Sequence, residues 1–320
     1  MSYKSGAALI LLAGLIWSSQ GVILRQITSA EAWAVMAWRS VGLVATLAVY
    51  ISYKSQGQLW DALASVRRSG WLGALGLVLA FGGAIYALQA TSIASAVVLF
   101  AAAPLFAAVI GWAAMGERVA PPTWAAIAAA ILGIAVMVGG QIETRAIWGN
   151  IAAIICAFGF GAFTVSLRAA HTHLRADVGH FPIVLLGGAM SIIIGAGLAA
   201  AAGQDLTPPA REIGIALFMG AFTLAGGMIL FTLGTRAVPA AAATLLAQIE
   251  VILGPLWVWL LMGEAFSRAT ALGGAIVLAA LVFNVLATRG AGQKAAINAG
   301  QDIGQGVGQG AARANQRRAA

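Results

Sequence analysis

The chain has 320 residues, of which 61% are hydrophobic and only 9% charged, and its formal net charge is +8. Its mean hydropathy of +0.93 excludes an ordinary water-soluble domain, because a domain of this size cannot bury so much apolar surface in one core. The cations are spread over short connecting segments instead of forming one patch, which argues against a nucleic-acid-binding protein.

Apolar stretches of roughly 20 residues, the length of a membrane-spanning helix, recur along the whole chain. Ten spans are predicted, at 6–24, 33–53, 71–89, 94–115, 122–140, 147–166, 180–202, 212–233, 238–262 and 270–288. Their residues do not alternate between apolar and polar, so helices are predicted instead of barrel strands. The first stretch is too long for a signal peptide and has no cleavage site before Arg25, so it is kept as a helix.

Lysines and arginines accumulate in alternate connections. If the N-terminus is cytoplasmic, thirteen of the 18 lie inside, four lie outside, and Arg39 lies within the second span. This asymmetry is the positive-inside pattern. It predicts a multi-pass protein of the cell's inner (plasma) membrane with both termini in the cytoplasm.

An internal repeat divides the chain. The motif Met-Gly-Glu at 115–117 recurs at 262–264, 147 residues later, and each copy is followed by a polar turn and an Ala/Gly-rich helix. Five crossings per half is an odd number, so the second half must enter the membrane from the opposite side, as an inverted repeat. The predicted repeats are 1–145 and 146–289, and the Gly-, Ala- and Gln-rich tail 290–320 is predicted to be a disordered cytoplasmic extension.

This all-α plan of ten helices resembles the drug/metabolite transporter superfamily and its EamA-type exporters. Other matching pieces are Ala-Gly-Leu-Ile-Trp-Ser at 13–18 and Ile-Glu-Val at 249–251, where the family often has Leu-Glu-Pro. The resemblance is greatest to bacterial exporters of amino acids, including aromatic ones. It implies a central cavity lined by spans one to four and six to nine. The first span lacks the membrane glutamate of the small multidrug-resistance branch, which counts against simple drug/proton antiport.

Two ionisable residues inside the spans are candidates for substrate binding, since a charge at membrane depth is costly and usually functional. Glu250 is predicted to contact a substrate amino group or a proton; the alternative is a structural carboxylate that holds two helices together. Arg39 is predicted to bind a substrate carboxylate with its planar guanidinium. The alternatives for Arg39 are snorkelling to the interface and an ion pair with Glu31.

Aromatic and amide side chains at helical spacing predict a cavity for a medium-sized, partly apolar solute. The further candidate residues for substrate binding are Trp17, Gln20, Tyr86, Gln89, Phe100, Phe160, Phe163, Gln248 and Trp257. For each aromatic taken singly, lipid contact or helix packing is the alternative interpretation.

An enzyme is not predicted, because the three histidines lie in or beside one loop and a single carboxylate is deep in a span. His171 and His173 lack a third ligand nearby, and Cys156 is alone, so no metal or other cofactor is expected. The absence of a nucleotide-binding fingerprint argues against an ATP-driven pump.

The chain is therefore interpreted as a secondary transporter that works by alternating access in contact with the lipid bilayer. It is expected to export small metabolites, most of all aromatic or neutral amino acids, and to function as a monomer. The alternatives are a nucleotide-sugar or drug carrier of the same superfamily and an intramembrane enzyme.

Overall fold

The computed structural model describes residues 1–90, 96, 99–116, 119–138, 147–170, 180–262, 268–269, 272–284 and 286–287. Within these ranges all regular structure is helical, as the long apolar stretches predict. The predicted features at His171 and His173, at the glutamates of both Met-Gly-Glu motifs and in the tail 290–320 lie outside the described residues.

The helices follow the predicted spans closely. The first half contains α1 (Tyr3–Ser18), α2 (Gln20–Leu24), α3 (Ala32–Lys54), α4 (Leu59–Ala64), α5 (Arg68–Ala90), α6 (Ala103–Met115) and α7 (Pro121–Val138). The second half contains α8 (Ile147–Ala169), α9 (Phe181–Ala201), α10 (Ala210–Phe218), a π-helical turn (Met219–Leu224), α11 (Ala225–Gly234), α12 (Ala240–Ala247), α13 (Ile249–Met262) and α14 (Leu272–Asn284).

Six helical segments are each long and apolar enough to cross a membrane. They are Tyr3–Leu24, Ala32–Lys54, Arg68–Ala90, Ile147–Ala169, Phe181–Ala201 and Ala210–Gly234. The remaining predicted spans correspond to shorter apolar helices at Ala103–Met115, Pro121–Val136, Ala240–Gly254 and Leu272–Asn284. Over the described residues, the prediction of an all-helical, multi-pass protein is confirmed, and the helix ends differ from the predicted ones by a few residues.

The connection between α3 and α5 contains the short helix α4. Trp60 of this helix is 79% exposed, whereas Ala62 is fully buried and Leu63 packs against the core. A helix that packs one apolar face against the protein and exposes a tryptophan is typical of the membrane surface.

Glycines allow α5 and α8 to cross in direct backbone contact. A Cβ added at Gly159 would lie 2.5 Å from the carbonyl oxygen of Gly76, and one at Gly76 would lie 2.7 Å from that of Gly159. Two turns further along α5, Gly83 meets the backbone of Ala152 and Cys156. Lipid gives no hydrophobic drive for helix association, so such close van der Waals contact holds the helices together.

A second reciprocal pair joins α1 to α11. A Cβ added at Gly6 would lie 2.8 Å from the carbonyl oxygen of Gly234, and one at Gly234 would lie 2.7 Å from that of Gly6. In both crossings the first helix of one half meets the third long helix of the other. This exchange is expected for two halves related by an inverted repeat.

The two halves are interleaved. α1 packs against α11, α12 and α13, α3 packs along α9 and the π-helical turn, and α5 packs along α8. The main hydrophobic cluster accordingly draws residues from both halves, among them Leu43 and Leu77 from the first and Phe163 and Phe231 from the second.

α7 and α14 pair outside this main cluster. A Cβ added at Gly133 of α7 would lie 2.8 Å from the carbonyl oxygen of Gly273, and Thr123 Oγ1 donates to Asn284 Oδ1 at 2.9 Å. Their buried residues, such as Ile134 and Val277, belong to a separate cluster. The family resemblance implies this peripheral position for spans five and ten.

The bundle has two ends, defined by contacts between chain segments. The start of α1 meets residues Gly234–Val238, and the end of α8 is hydrogen-bonded to the same segment. We call this end of the bundle the N-terminal face. At the other end, residues 28–30 donate hydrogen bonds to Glu212 at the start of α10. We call that end the opposite face.

Candidate functional site

Interruptions in the helices lie beside the candidate residues. α1 and α2 are separated by Ser19 alone, and α12 and α13 by Gln248 alone. Ala101 and Ala102 form a turn directly before α6. Gln248 follows Ala101 by 147 residues, the offset of the Met-Gly-Glu motifs, so the fourth span of each half is interrupted at the same repeat position. Interrupted helices near the middle of the membrane commonly form the binding sites of transporters.

Four aromatic rings from both halves form a cluster in the core. Trp17 meets Phe160 edge-to-face at 5.8 Å between ring centroids and Phe231 at 5.4 Å. Phe160 in turn lies 5.1 Å from Phe231 and 6.2 Å from Phe163. The structure therefore brings together three of the predicted residues, Trp17, Phe160 and Phe163, and adds Phe231. We call these four residues the aromatic cluster.

Arg39 of α3 is buried beside Gln20, the first residue of α2. The side chain is 4% exposed, its Nη1 donates to Gln20 Oε1 at 3.2 Å, and its guanidinium carbon lies 5.4 Å from the centroid of the Phe81 ring. The burial excludes snorkelling in this conformation. Within the described ranges no carboxylate lies at ion-pair distance from Arg39, so the suggested pair with Glu31 is not formed.

Gln248 is the interruption in the ninth span, and Glu250 lies two residues after it. Glu250 is half-buried at the second position of α13. Gln248 is 5% exposed, and its Oε1 has no hydrogen-bond partner among the residues described. The Cys156 thiol on α8 is within electrostatic range of both Arg39 and Glu250. The two charged candidates thus belong to one region of the interior without pairing with each other.

Trp257 and Tyr86 have partners of their own. Trp257 Nε1 donates to Ser18 Oγ at 2.8 Å, which joins α13 to the end of α1 beside the interruption at Ser19. Tyr86 stacks on Trp33, with ring centroids 5.4 Å apart and an interplanar angle of 21°. Trp257 therefore contributes to the walls around Trp17, whereas Tyr86 lies nearer the opposite face.

Gln89 and Phe100 do not join the aromatic cluster in this conformation. Gln89 is exposed near the end of α5. Phe100 is half-buried against a small separate cluster that contains Ala87 and Ala153.

Two important neighbours of the candidate residues were not predicted as site residues. Phe231 aligns with Tyr86 in the repeat, so the internal comparison was the signal that could have found it. Nothing in the sequence marks Phe81, because its contact with the Arg39 guanidinium depends on how α3 and α5 pack.

A carboxylate ties the two halves together at the opposite face. Glu212 Oε1 accepts hydrogen bonds from the backbone N–H of Thr28 at 2.9 Å and of Ser29 at 3.1 Å. Its Oε2 accepts from the Ser29 hydroxyl at 2.9 Å and the Ala30 N–H at 2.8 Å. Although charged, Glu212 is only 5% exposed. We call this arrangement the Glu212 latch.

The connection before α10 adds to the contacts of the opposite face. Trp38 Nε1 donates to the carbonyl oxygen of Leu206 at 2.8 Å. Asp205 accepts hydrogen bonds from the backbone N–H and the hydroxyl of Thr207, and these bonds hold the pKa of that carboxyl below its ordinary value.

The N-terminal face is tied by an arginine. Arg168 Nη1, at the end of α8, donates to the carbonyl oxygens of Thr235 at 3.3 Å and Val238 at 3.1 Å. Together with the Gly6–Gly234 contact, these bonds draw three chain segments together. The aromatic cluster and Arg39 thus lie between two ends that are both held by specific contacts.

Metal ligation has no support in the described part of the chain, where no three His, Cys, Asp or Glu side chains lie close enough to share an ion. The site's chemistry is that of aromatic faces, amide groups, one guanidinium and one carboxylate. Side chains of these kinds line the sites of small organic molecules in proteins.

Comparison with known proteins agrees with this architecture. The EamA-like transporter family matches residues 4–139 and again residues 147–286. The pseudopaline exporter CntI of Pseudomonas aeruginosa, in two strains, is 25% identical over 290 residues, which cover 87% of this chain and 95% of the exporter. A solved crystal structure superposes with a TM-score of 0.74 at 18% identity, over 90% of this chain and 99% of that one. The chain, a multi-pass membrane protein, belongs to the EamA-like transporter family.

Proposed function

We propose that this protein is a secondary transporter that exports small metabolites, most of all aromatic or neutral amino acids, across the bacterial inner membrane. It crosses the membrane with ten helices in two inverted repeats, both termini lie in the cytoplasm, and one chain is the functional unit. Transport proceeds by alternating access to a site at the interrupted helices.

The observation that carries the proposal is the aromatic cluster shared by both halves. Trp17 and Phe160 come from the first span of each half, and their rings meet. A site built across the interface of two inverted repeats changes its exposure when the halves move relative to each other. Aromatic walls with a few polar groups suit a partly apolar metabolite.

Different observations support the proposed direction of transport and the proposed class of substrate. The name of the relative CntI describes an exporter, and the alignment covers nearly all of it, which favours export. Nucleotide sugars would need several cations for their phosphates. Among the described residues, Arg39 is the lysine or arginine buried in the core, which favours a substrate with a single negative group.

The test is transport by the purified protein in liposomes, with and without a pH gradient. The panel is phenylalanine, leucine, a nucleoside, a nucleotide sugar and a cationic drug. Phenylalanine and leucine are expected to move. Trp17→Ala is expected to slow phenylalanine up to about tenfold, because the substrate ring loses one aromatic contact worth about 0.5–1.5 kcal/mol.

Trp124→Ala is the matched control, since Trp124 is 42% exposed on the peripheral helix α7. It should transport as the unmodified protein does. Movement of nucleosides or drugs without amino acids would contradict the proposed substrate class.

A further inference from the structure

The guanidinium of Arg39 has donors that the protein does not use. Within the described part of the chain, its hydrogen bond runs from Nη1 to Gln20 Oε1. Nε and Nη2 are buried and have no hydrogen-bond partner within the described ranges. A buried guanidinium is normally satisfied by a carboxylate or by several oxygens, because removing it from water is costly. Nε and Nη2 of Arg39 therefore still need hydrogen-bond acceptors.

The two unused donors lie on the same edge of the guanidinium plane. Nε–H and one N–H of Nη2 are parallel and point the same way, whereas Nη1, which Gln20 occupies, is on the other side. This edge matches the two oxygens of a carboxylate, which it binds through a pair of parallel hydrogen bonds. The free part of Arg39 thus has the geometry of one particular ligand group.

The edge is also held in a fixed orientation. Phe81 lies against the guanidinium at 5.4 Å, and Gln20 fixes the far side. The backbone of Arg39 is in direct contact with Gly220 of the π-helical turn, where an added Cβ would collide with the Arg39 carbonyl group. π-helical turns often mark functional sites. An arginine positioned in advance by three neighbours loses little freedom when it binds.

Among the described residues, no carboxylate pairs with Arg39. Glu250 is the carboxylate in this region, yet it does not pair with Arg39; both are only within electrostatic range of Cys156. The aromatic cluster begins at Trp17, one helical turn before Gln20. A ligand carboxylate at Arg39 would therefore leave the rest of the molecule beside aromatic rings.

We infer that the Nε–Nη2 edge of Arg39 is the subsite for a free carboxylate of the transported metabolite, whose apolar part faces the aromatic cluster. The inference rests on the proposed function and narrows its substrate class to compounds with an unmodified carboxylate. Gln20 and Phe81 are positioning residues. In the present conformation the edge is covered, so the substrate reaches it when the helices separate.

The experiment measures binding by the full-length purified protein as a ligand-dependent rise in melting temperature. Three probes share a phenyl ring: L-phenylalanine, L-phenylalaninamide, in which the carboxylate is capped, and 3-phenylpropanoate, which lacks the ammonium group. The unmodified protein is expected to bind the two carboxylates at least about tenfold more tightly than the amide, as one charge-assisted pair of hydrogen bonds requires.

Variants of Arg39 test whether this residue causes the preference for the carboxylates over the amide. R39Q should bind phenylalanine and its amide equally, and R39K should keep part of the preference, because a lysine has the charge without the parallel donors. R236Q is the control, since Arg236 is exposed, and it should keep the full preference. If R39Q does not fold, Phe81→Leu keeps the charge and should weaken phenylalanine binding more than binding of the amide.

The outcomes separate this inference from the proposed function. Equal binding of phenylalanine and its amide to the unmodified protein, or binding of no carboxylate at all, overturns the subsite. Retention of the preference by R39Q overturns it as well. If 3-phenylpropanoate binds through Arg39 while liposomes move no amino acid, the subsite stands and the proposed amino-acid substrates are wrong.

Discussion

At the scale of single residues, Glu212 is bonded to a segment far away in the sequence. Its carboxylate accepts from three successive backbone N–H groups, those of Thr28, Ser29 and Ala30. Such a run of N–H groups forms a concave site for a negative charge. The hydroxyls of Thr28 and Ser29 add two more donors. The charge of Glu212 is thereby stabilised although the side chain is buried.

The substitution Glu212→Gln is expected to destabilise the protein. A neutral amide offers one oxygen in place of two and turns an NH₂ group towards backbone donors, so we expect the free energy of unfolding to fall. The measurement is the melting temperature of the purified protein in detergent. Glu31→Gln is the matched control, because Glu31 is an exposed carboxylate next to the same segment. Equal melting temperatures of the two variants would contradict the role of the latch.

Single residues were predictable when their chemistry alone marked them. Arg39 was identified because a charge within an apolar span needs a reason. Its partner Gln20 was not predicted as such, since the contact depends on how α2 and α3 meet. Glu212 gave no signal at all, because it stands at the start of a span and its partners are 182–184 residues away in the sequence.

At the scale of helices, the crossing of α5 and α8 depends on the absence of side chains at Gly76 and Gly159. Gly159→Ala is expected to lower the free energy of unfolding by about 1–3 kcal/mol, because the new methyl group meets backbone atoms that cannot rotate away. Gly197 of α9 has no atom within 4 Å of an added Cβ. Gly197→Ala should therefore leave stability unchanged or raise it slightly through helix propensity.

The melting temperatures of these two alanine variants provide the comparison. If Gly159→Ala were as stable as Gly197→Ala, the close crossing would not contribute to stability.

The helices were predicted well and their interruptions were not. Continuous apolar stretches suffice to place spans, since length and composition decide insertion into lipid. The interruptions at Ser19 and Gln248 contain neither proline nor glycine, so no local rule marks them. Pro104 lies at the second residue of α6, just after the turn at Ala101 and Ala102, where proline is readily accommodated.

At the scale of the whole molecule, the halves share one core and depend on each other. α1, α3 and α5 find their main partners in the second half. The N- and C-terminal fragments 1–145 and 146–320, expressed separately, are therefore expected to be unstable, because each exposes helix faces that need the other. Expressed together they should form a complex that copurifies and elutes as one species in size-exclusion chromatography. A fragment that is monodisperse by itself would contradict this interdependence.

The Glu212 latch has a consequence for biosynthesis. Residues 28–30 leave the ribosome 182–184 positions before the carboxylate that receives their hydrogen bonds, whereas most domains can fold as soon as their own chain has emerged. The loop at residues 28–30 thus lacks these hydrogen bonds until α10 has been synthesised. A chain terminated before Glu212 therefore leaves the backbone donors of residues 28–30 without this carboxylate.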